Sequence, residues 1–256
     1  MRWQSAICWK SLLLLLHSGI AMAIADLRRD YGLGALRRTD LNPNPITQFN
    51  EWFAHATGVR GGRLRRFFVG VYKSFMMLLT GAPPPDVSAM ALATATIDGT
   101  PSVRMVLLKG VDNRGFIFFT NYDSRKGREL AENPKAALVF YWAELERQIS
   151  VTGEVTKLPV AESESYFRSR PKGSRLGAWA SPQSRVVASR EDLEKNWDEL
   201  ERRYPTNEIP CPPYWGGYVL SPQRIEFWQG GPNRLHDRFC YVRQPDNTWK
   251  IERLAP

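Results

Sequence analysis

From Ala89 to the C-terminus the chain is a succession of short β-prone runs, each closed by Gly, Pro, Asn or Asp. "AMALATATI" (89–97) meets the turn "DGTP", "SVRMVLL" (102–108) leads into "GVDNRG", and "FIFFT" (116–120) follows. "AALVFYW" (136–142) and "RQISVTGEVTKL" (147–158) continue the series. After a helical interlude come "WGGYVLS", "RIEFWQG", "FCYVRQ" and "WKIERL", the last two joined by "PDNT". Such spacing predicts antiparallel hairpins. Without regularly alternating helices it argues against a doubly wound parallel sheet and for a small barrel or sandwich. The fold class expected is therefore mainly β with peripheral helices. At 256 residues one domain can bury a sizeable core.

Two helices carry clear start signals. Ser189 and Asp192 form a Ser-x-x-Asp box, after which Leu193, Trp197, Leu200 and Tyr204 share one face. Ser124 caps "RKGRELAEN", which closes before Pro134. Arg125, Lys126 and Arg128 occupy the first turn of that second helix, where the dipole disfavours cations. A phosphate at the helix start would account for them, and so would a solvated basic face.

A second cluster, "YFRSRPKGSR" (166–175), holds Arg168, Arg170, Lys172 and Arg175 with no acid. Pro171 and Gly173 predict a loop there, either a solvated linker or an anion site. In "SVRMVLLKG", Arg104 and Lys109 have odd separation and face opposite ways on an unbroken strand. A cation in an apolar strand calls for a partner or an anion. Gln148 in "ERQISV" has an amide able to read a heterocycle's edge. In "GGPNRLHDRF" (230–239), Arg234, His236 and Arg238 alternate around Asp237. That spacing suits a ligand seam along a strand, or an ion pair between Asp237 and an adjacent arginine.

The net charge of +9 fits phosphorylated ligands as well as nucleic acid. Two separate clusters, with no continuous basic stripe, favour two small phosphorylated molecules, and no nucleic-acid partner is expected. Three cysteines, Cys8, Cys211 and Cys240, form no C-x-x-C, and histidine is scarce, so neither a disulfide framework nor a metal site is expected.

Nine blocks together resemble one family: "RRDY" (28–31), "RMVLLKG" (104–110), "FFTNYDSRKG" (118–127), "ERQISVTG" (146–153), "YFRSRPKGS" (166–174), "WGGY" (215–218), "IEFWQGG" (225–231), "NRLHDRF" (233–239) and "ERLAP" (252–256). They stand in the order seen in the pyridoxine/pyridoxamine 5′-phosphate oxidases, from about Asp26 to Pro256. The resemblance implies an FMN-binding split barrel, an antiparallel Greek-key-type β-barrel. It also implies a homodimer with the flavin at the subunit interface. The FMN-binding positions it implies are Arg104, Met105, Val106, Leu107, Phe119, Thr120, Arg125, Lys126, Gln148, Gln183, Ser184, Trp228 and Arg238. The substrate phosphate would fall to Lys109, Tyr166, Arg170 and Ser174. Arg234 and His236 would face the pyridine ring as the catalytic pair, and Arg28 and Tyr31 would belong to a lid.

The reaction so implied is oxidation of pyridoxine or pyridoxamine 5′-phosphate by O2 to pyridoxal 5′-phosphate, with H2O2 released, and ammonia from the amine. A non-catalytic FMN or pyridoxal-phosphate carrier of the same fold is the alternative. The domain expected is 26–256, with a lid-like segment 26–45 and an insertion at 57–88. The insertion carries five cations before Ser74 and then an apolar run. It reads as a packed or loosely ordered element, with membrane contact the less favoured reading. Residues 1–25 end in a signal-like apolar stretch, "SLLLLLHSGIAMAIA", with Met22 as an alternative start. Cysteine usage favours the cytoplasm, and export or a membrane tether is the alternative.

Overall fold

In a computed structural model, residues 30–58 and 86–256 of the protein are described. The leader 1–25, Arg28 and most of the 57–88 segment lie outside them. The described chain begins with a strap that leads into helix α1 (Pro45–Ala56). Strands β1 (Ala89–Ala95), β2 (Pro101–Leu107), β3 (Gly110–Asp112) and β4 (Gly115–Asn121) follow. Helix α2 (Arg125–Glu132) precedes β5 (Lys135–Trp142) and β6 (Arg147–Lys157). Three helices, α3 (Val160–Ser169), α4 (Lys172–Ala180) and α5 (Arg190–Arg203), precede β7 (Trp215–Gln229), β8 (Asp237–Arg243) and β9 (Trp249–Leu254).

All the strands join one antiparallel sheet in the order β2-β1-β5-β6-β7-β4-β3, with β8 and β9 branching from β7. The branch defines the architecture. β6 pairs with β7 from Tyr218 to Gln229, whereas β4 pairs only with Trp215–Leu220 and β8 only with Arg224–Gln229. The sheet forks at Ser221–Gln223, where a register shift falls between Thr152 and Gly153. Gly153 is required there, since a Cβ would lie 2.0 Å from the Ser221 carbonyl oxygen. "WGGYVLS" and "RIEFWQG", expected as separate strands, are thus one 15-residue strand carrying a bulge. Pro222, opposite Gly153 and beside the bulged Gln223, is tolerated because it falls in the gap between the β4 and β8 ladders.

Alternation along the strands builds the core. β1 and β5 bury every second residue, among them Met90, Leu92, Leu138 and Phe140, all fully buried. Helix α1 closes the curled sheet. Asn44 caps it, accepting from the Ile46 and Thr47 amides, with Pro45 in the first turn. Its Phe49 packs on Phe116 and Phe140, with ring centroids 4.9 and 5.2 Å apart, and Trp52 packs on Phe227. Each such buried ring stabilises the fold by about 1.5–3 kcal/mol. A smaller core of Phe167, Leu176, Ile209 and Trp215 lies under α3, α4 and α5, with Trp197 and Leu200 packed against it.

Strand β2 differs from its neighbours. None of its residues is buried, and Val103, Met105 and Leu107 put an apolar row into solvent at 69%, 64% and 41% exposure. Among the described residues, no helix is long and apolar enough to cross a membrane.

Candidate active site

The end of β4 and the start of α2 form the first wall of a cavity of about 790 Å³. Ser124 is fully buried and caps α2, accepting from the Gly127 amide at 3.3 Å. Gly127 lets the helix sit tightly on the strand end, because a Cβ would lie 2.0 Å from the Tyr122 carbonyl oxygen. Lys126 folds inward and is 7% exposed. Its Nζ lies 3.0 Å from Thr120 Oγ1, 3.2 Å from Ser124 Oγ and 3.1 Å from Gln183 Oε1. Burial, with the nearby Arg104 charge, lowers the ammonium pKa to about 8, against the opposing pull of Glu129.

Glu129 organises the cations beside it. It is 3% exposed and accepts from Arg125 Nε at 2.8 Å, Arg104 Nη2 at 3.3 Å, Ser102 Oγ at 2.5 Å and the Thr94 hydroxyl. Burial alone would raise its pKa. The hydrogen bonds from Ser102, Thr94 and Arg125, with the Arg104 charge, outweigh burial and hold it at about 2. Arg104 also donates to the Leu92 carbonyl and Thr94 Oγ1, so the cation inside the strand is fully partnered.

The facing wall comes from α3, α4 and β7. Tyr166 stacks on Phe119 at 3.9 Å, and the Arg170 guanidinium lies 4.7 Å from the Trp215 ring centroid. Arg170 Nη1 is buried without a hydrogen-bond partner among the described residues. The other cations of this cluster are engaged elsewhere: Arg168 with Glu164, Lys172 with the Pro205 carbonyl and Arg175 with the Asn207 carbonyl. The expected loop is instead a helix–helix junction, in which Arg170 ends α3 and Pro171 begins α4. That junction turns Arg170 alone of the four into the cavity. Lys109 shares the cavity with Arg104 despite its odd spacing, because β2 ends at Leu107. Met105, Val106, Leu107, Thr120, Arg125, Ser174, Gln183 and Ser184 complete the set of expected residues that line it.

The other expected residues do not line this cavity. Gln148 pairs with Trp228 across β6 and β7, and Trp228 pairs with Arg238 across β7 and β8. Tyr31 stands edge-on to Trp228 and His236, at 5.5 and 5.6 Å, and His236 lies 4.8 Å from Trp228. The Gly231 amide donates to His236 Nδ1 at 3.1 Å, so the neutral ring carries its proton on Nε2. Arg238 is held by both oxygens of Glu226, at 2.8 and 3.1 Å, and by the Ala255 carbonyl. Arg234 and His236 precede β8 and do not alternate along it. Arg234 sits in a short turn with φ +62°. Asp237 pairs with Arg253 at 2.8 Å and accepts from the Leu36 amide, so no adjacent arginine claims it. Glu146 accepts from the Gly32 and Leu33 amides, which ties the strap carrying Tyr31 to the sheet.

Sequence reasoning missed Ser102 and Trp215 in the cavity lining, and Glu129 behind it. For Glu129 the signal existed: it stands four residues after Arg125 on one helix, the spacing of an ion pair.

A curled, forked antiparallel sheet with a cation-walled cavity at one end defines the protein as a split barrel. Comparison with known proteins agrees. A solved structure of a pyridoxamine 5′-phosphate oxidase-related, FMN-binding protein from Nostoc punctiforme is similar in fold at TM-score 0.60 and 16% identity, covering 84% of this chain and all of that one. PhzG from Burkholderia lata, solved with tetrahydrophenazine-1-carboxylic acid, is 33% identical at TM-score 0.73, covering 87% of this chain and 98% of that one. Residues 84–204 match the family model for pyridoxamine 5′-phosphate oxidase. Residues 215–256 match that for the pyridoxine 5′-phosphate oxidase C-terminal dimerisation region. Pyridoxine/pyridoxamine 5′-phosphate oxidase from Trichormus variabilis is 51% identical over 233 residues, spanning 91% of this chain and 98% of that protein. The Salinibacter ruber enzyme of the same name is 50% identical over 235 residues, spanning 91% and 99%. The chain belongs to the pyridoxine/pyridoxamine 5′-phosphate oxidase family.

Proposed function

We propose that the protein is an FMN-dependent oxidase that converts pyridoxine or pyridoxamine 5′-phosphate to pyridoxal 5′-phosphate. The observation that carries this is one cavity whose lining gathers two cation sets: Arg104, Arg125 and Lys126 at the α2 wall, and Arg170 on the α3–α4 wall with Lys109 from the β2–β3 link. Each wall suits one phosphate, and the volume suits a flavin with a small substrate. The donor set fits FMN: two guanidiniums, an ammonium and a helix start at the phosphate end, with Gln183 and Ser184 beside them. The unpartnered Arg170 Nη1 is a buried donor in want of an anion.

When bound, FMN supplies the two-electron acceptor for the C4′ alcohol or amine, and O2 then takes those electrons to give H2O2. The chain supplies position. Arg170 and Lys109, with the Tyr166 and Ser174 hydroxyls, would fix the substrate phosphate and so convert binding into orientation. The Phe119–Tyr166 stack would exclude water from one side.

The second cluster is assigned to the same reaction through a partner subunit. Arg234, His236, Trp228, Gln148 and Arg238 stand away from their own chain's cavity, and four of them lie in the stretch that matches the dimerisation region. The apolar row on β2, which runs beside the cavity, suits contact with a second copy. His236, with its proton on Nε2, would present a donor to the pyridine side, and Arg238, locked by Glu226, would present charge to the flavin. On this reading residues 26–256 act as one oxidase domain, and the cysteine usage suits the cytoplasm.

The test is to purify the protein, record flavin absorbance, and supply pyridoxine 5′-phosphate and O2 while following aldehyde and H2O2. Bound FMN with turnover supports the reading. Bound FMN without turnover leaves the carrier alternative, and no FMN binding on addition overturns the reading altogether.

A further inference from the structure

We infer that Glu129 is a positioning residue for the cofactor end of the cavity. Its carboxylate, behind the cavity wall, locks Arg104 and Arg125 side by side, so that the Arg125 fork meets one phosphate and Arg104, held by its own partners, adds its charge. The inference rests on the reading of this wall as the FMN phosphate site.

The geometry is specific. Arg104 reaches from β2 and Arg125 from the first turn of α2, two elements that do not hydrogen-bond to each other in the sheet. Glu129, one helical turn beyond Arg125, engages both: Oε1 takes Arg125 Nε and Oε2 takes Arg104 Nη2. Arg125 is otherwise 55% exposed along its side chain, and a long exposed guanidinium samples many rotamers. Ser102 and Thr94, from β2 and β1, donate to the same Oε2 and fix the carboxylate. A buried acid with four partners is a rigid reference point. Using Nε of Arg125 leaves its two terminal nitrogens free to form a fork to an anion.

The charge count fits the same purpose. Arg104, Arg125 and Lys126 carry three positive charges, and Glu129 removes one, which leaves a net charge that matches a phosphate dianion. Three cations converging with no anion would repel each other in the apoprotein. Glu129 lets them stay together before the cofactor arrives.

Two substitutions separate reach from charge. Glu129→Gln keeps shape and loses charge, and Glu129→Asp keeps charge and loses the methylene that spans both arginines. The readouts are the Kd for FMN and for riboflavin, which lacks the phosphate, measured by quenching of flavin fluorescence on the apoprotein. Both variants are expected to weaken FMN about tenfold or more while riboflavin shifts less than about twofold. Thr94→Val, which removes one hydroxyl from Oε2, should shift FMN in the same direction by a smaller factor, and it carries the test if a Glu129 variant fails to fold.

Wild-type FMN affinity in Glu129→Asp would mean that charge alone matters, and would overturn the inference. So would tighter FMN binding in Glu129→Gln, or equal losses for FMN and riboflavin, which mark a merely structural role. If Thr94→Val is the variant that carries the test, an unchanged FMN affinity overturns it too. A wild-type protein that binds neither flavin, or binds FMN no better than riboflavin, would instead refute the cofactor assignment itself.

Discussion

If Lys126 meets the FMN phosphate as proposed, FMN affinity should depend on pH in a window set by its ammonium. Its ammonium is buried beside Arg104 and has a pKa of about 8, well below the ordinary lysine value of 10.5. In the apoprotein about nine chains in ten carry a charged Lys126 at pH 7, and about one in eleven at pH 9. The FMN phosphate is a dianion over most of this range and, beside Lys126, would hold the proton on it in the complex. Binding above pH 8 therefore takes up a proton, and affinity falls as pH rises through the apoprotein pKa. The expected loss is about tenfold in Kd between pH 7 and pH 9. Flavin fluorescence titrations of the apoprotein at four or five pH values measure it, and calorimetry in two buffers counts the proton. Lys126→Met should bind FMN more weakly at pH 7 and show a flat profile. A wild-type Kd constant to within about twofold across this range would refute the assignment of Lys126 to the phosphate. The same slope in Lys126→Met would assign the titration to another group.

Arg170→Ala should raise KM for pyridoxine 5′-phosphate by tenfold to about a hundredfold, since it removes a charge-assisted phosphate contact, while the Kd for FMN stays unchanged. An FMN loss of the same size would show that the two walls are not divided as proposed. Glu226→Gln should free Arg238 from its two-point clamp and lower kcat about tenfold, through the charge that Arg238 presents to the flavin; an unchanged kcat would remove Arg238 from that role. Gly127→Ala, whose Cβ would meet the Tyr122 carbonyl, should destabilise the protein by about 1–3 kcal/mol and lower Tm by several degrees, read from a thermal melt.

The hairpins were legible because period-two alternation and turn residues are local signals, and the helix caps at Ser124 and Ser189 were legible for the same reason. In sequence β7 reads as two runs because Ser221-Pro222-Gln223 looks like a break. Only the pairing partner, β6, shows that the chain continues through a bulge. Pro171 and Gly173 predict a loop that breaks the preceding helix, but the same proline caps the next one. Helix α1 escaped notice although Asn44-Pro45 and the spacing of Ile46, Phe49, Trp52 and Phe53 carried its signal. The candidate residues were legible through family resemblance, and their grouping was not. Which cations share a cavity depends on how the sheet curls, and no local pattern states it. The alternation of Arg234, His236 and Arg238 suggested one strand face, yet the first two stand in a turn before β8.

The separation of the two clusters on one chain has a genetic consequence. If each active site joins the cavity of one subunit to the Trp228–His236 cluster of the other, lesions in the two halves complement. At substrate concentrations well below KM, Arg170→Ala and His236→Ala would each cripple a homodimer. A mixed dimer of the two would gather both lesions at one site and leave the other intact. Random pairing of the two chains in equal amounts would then restore about a quarter of wild-type activity. Two lesions in the same half, carried on separate chains, would restore none, since every site of the mixed dimer would hold one of them.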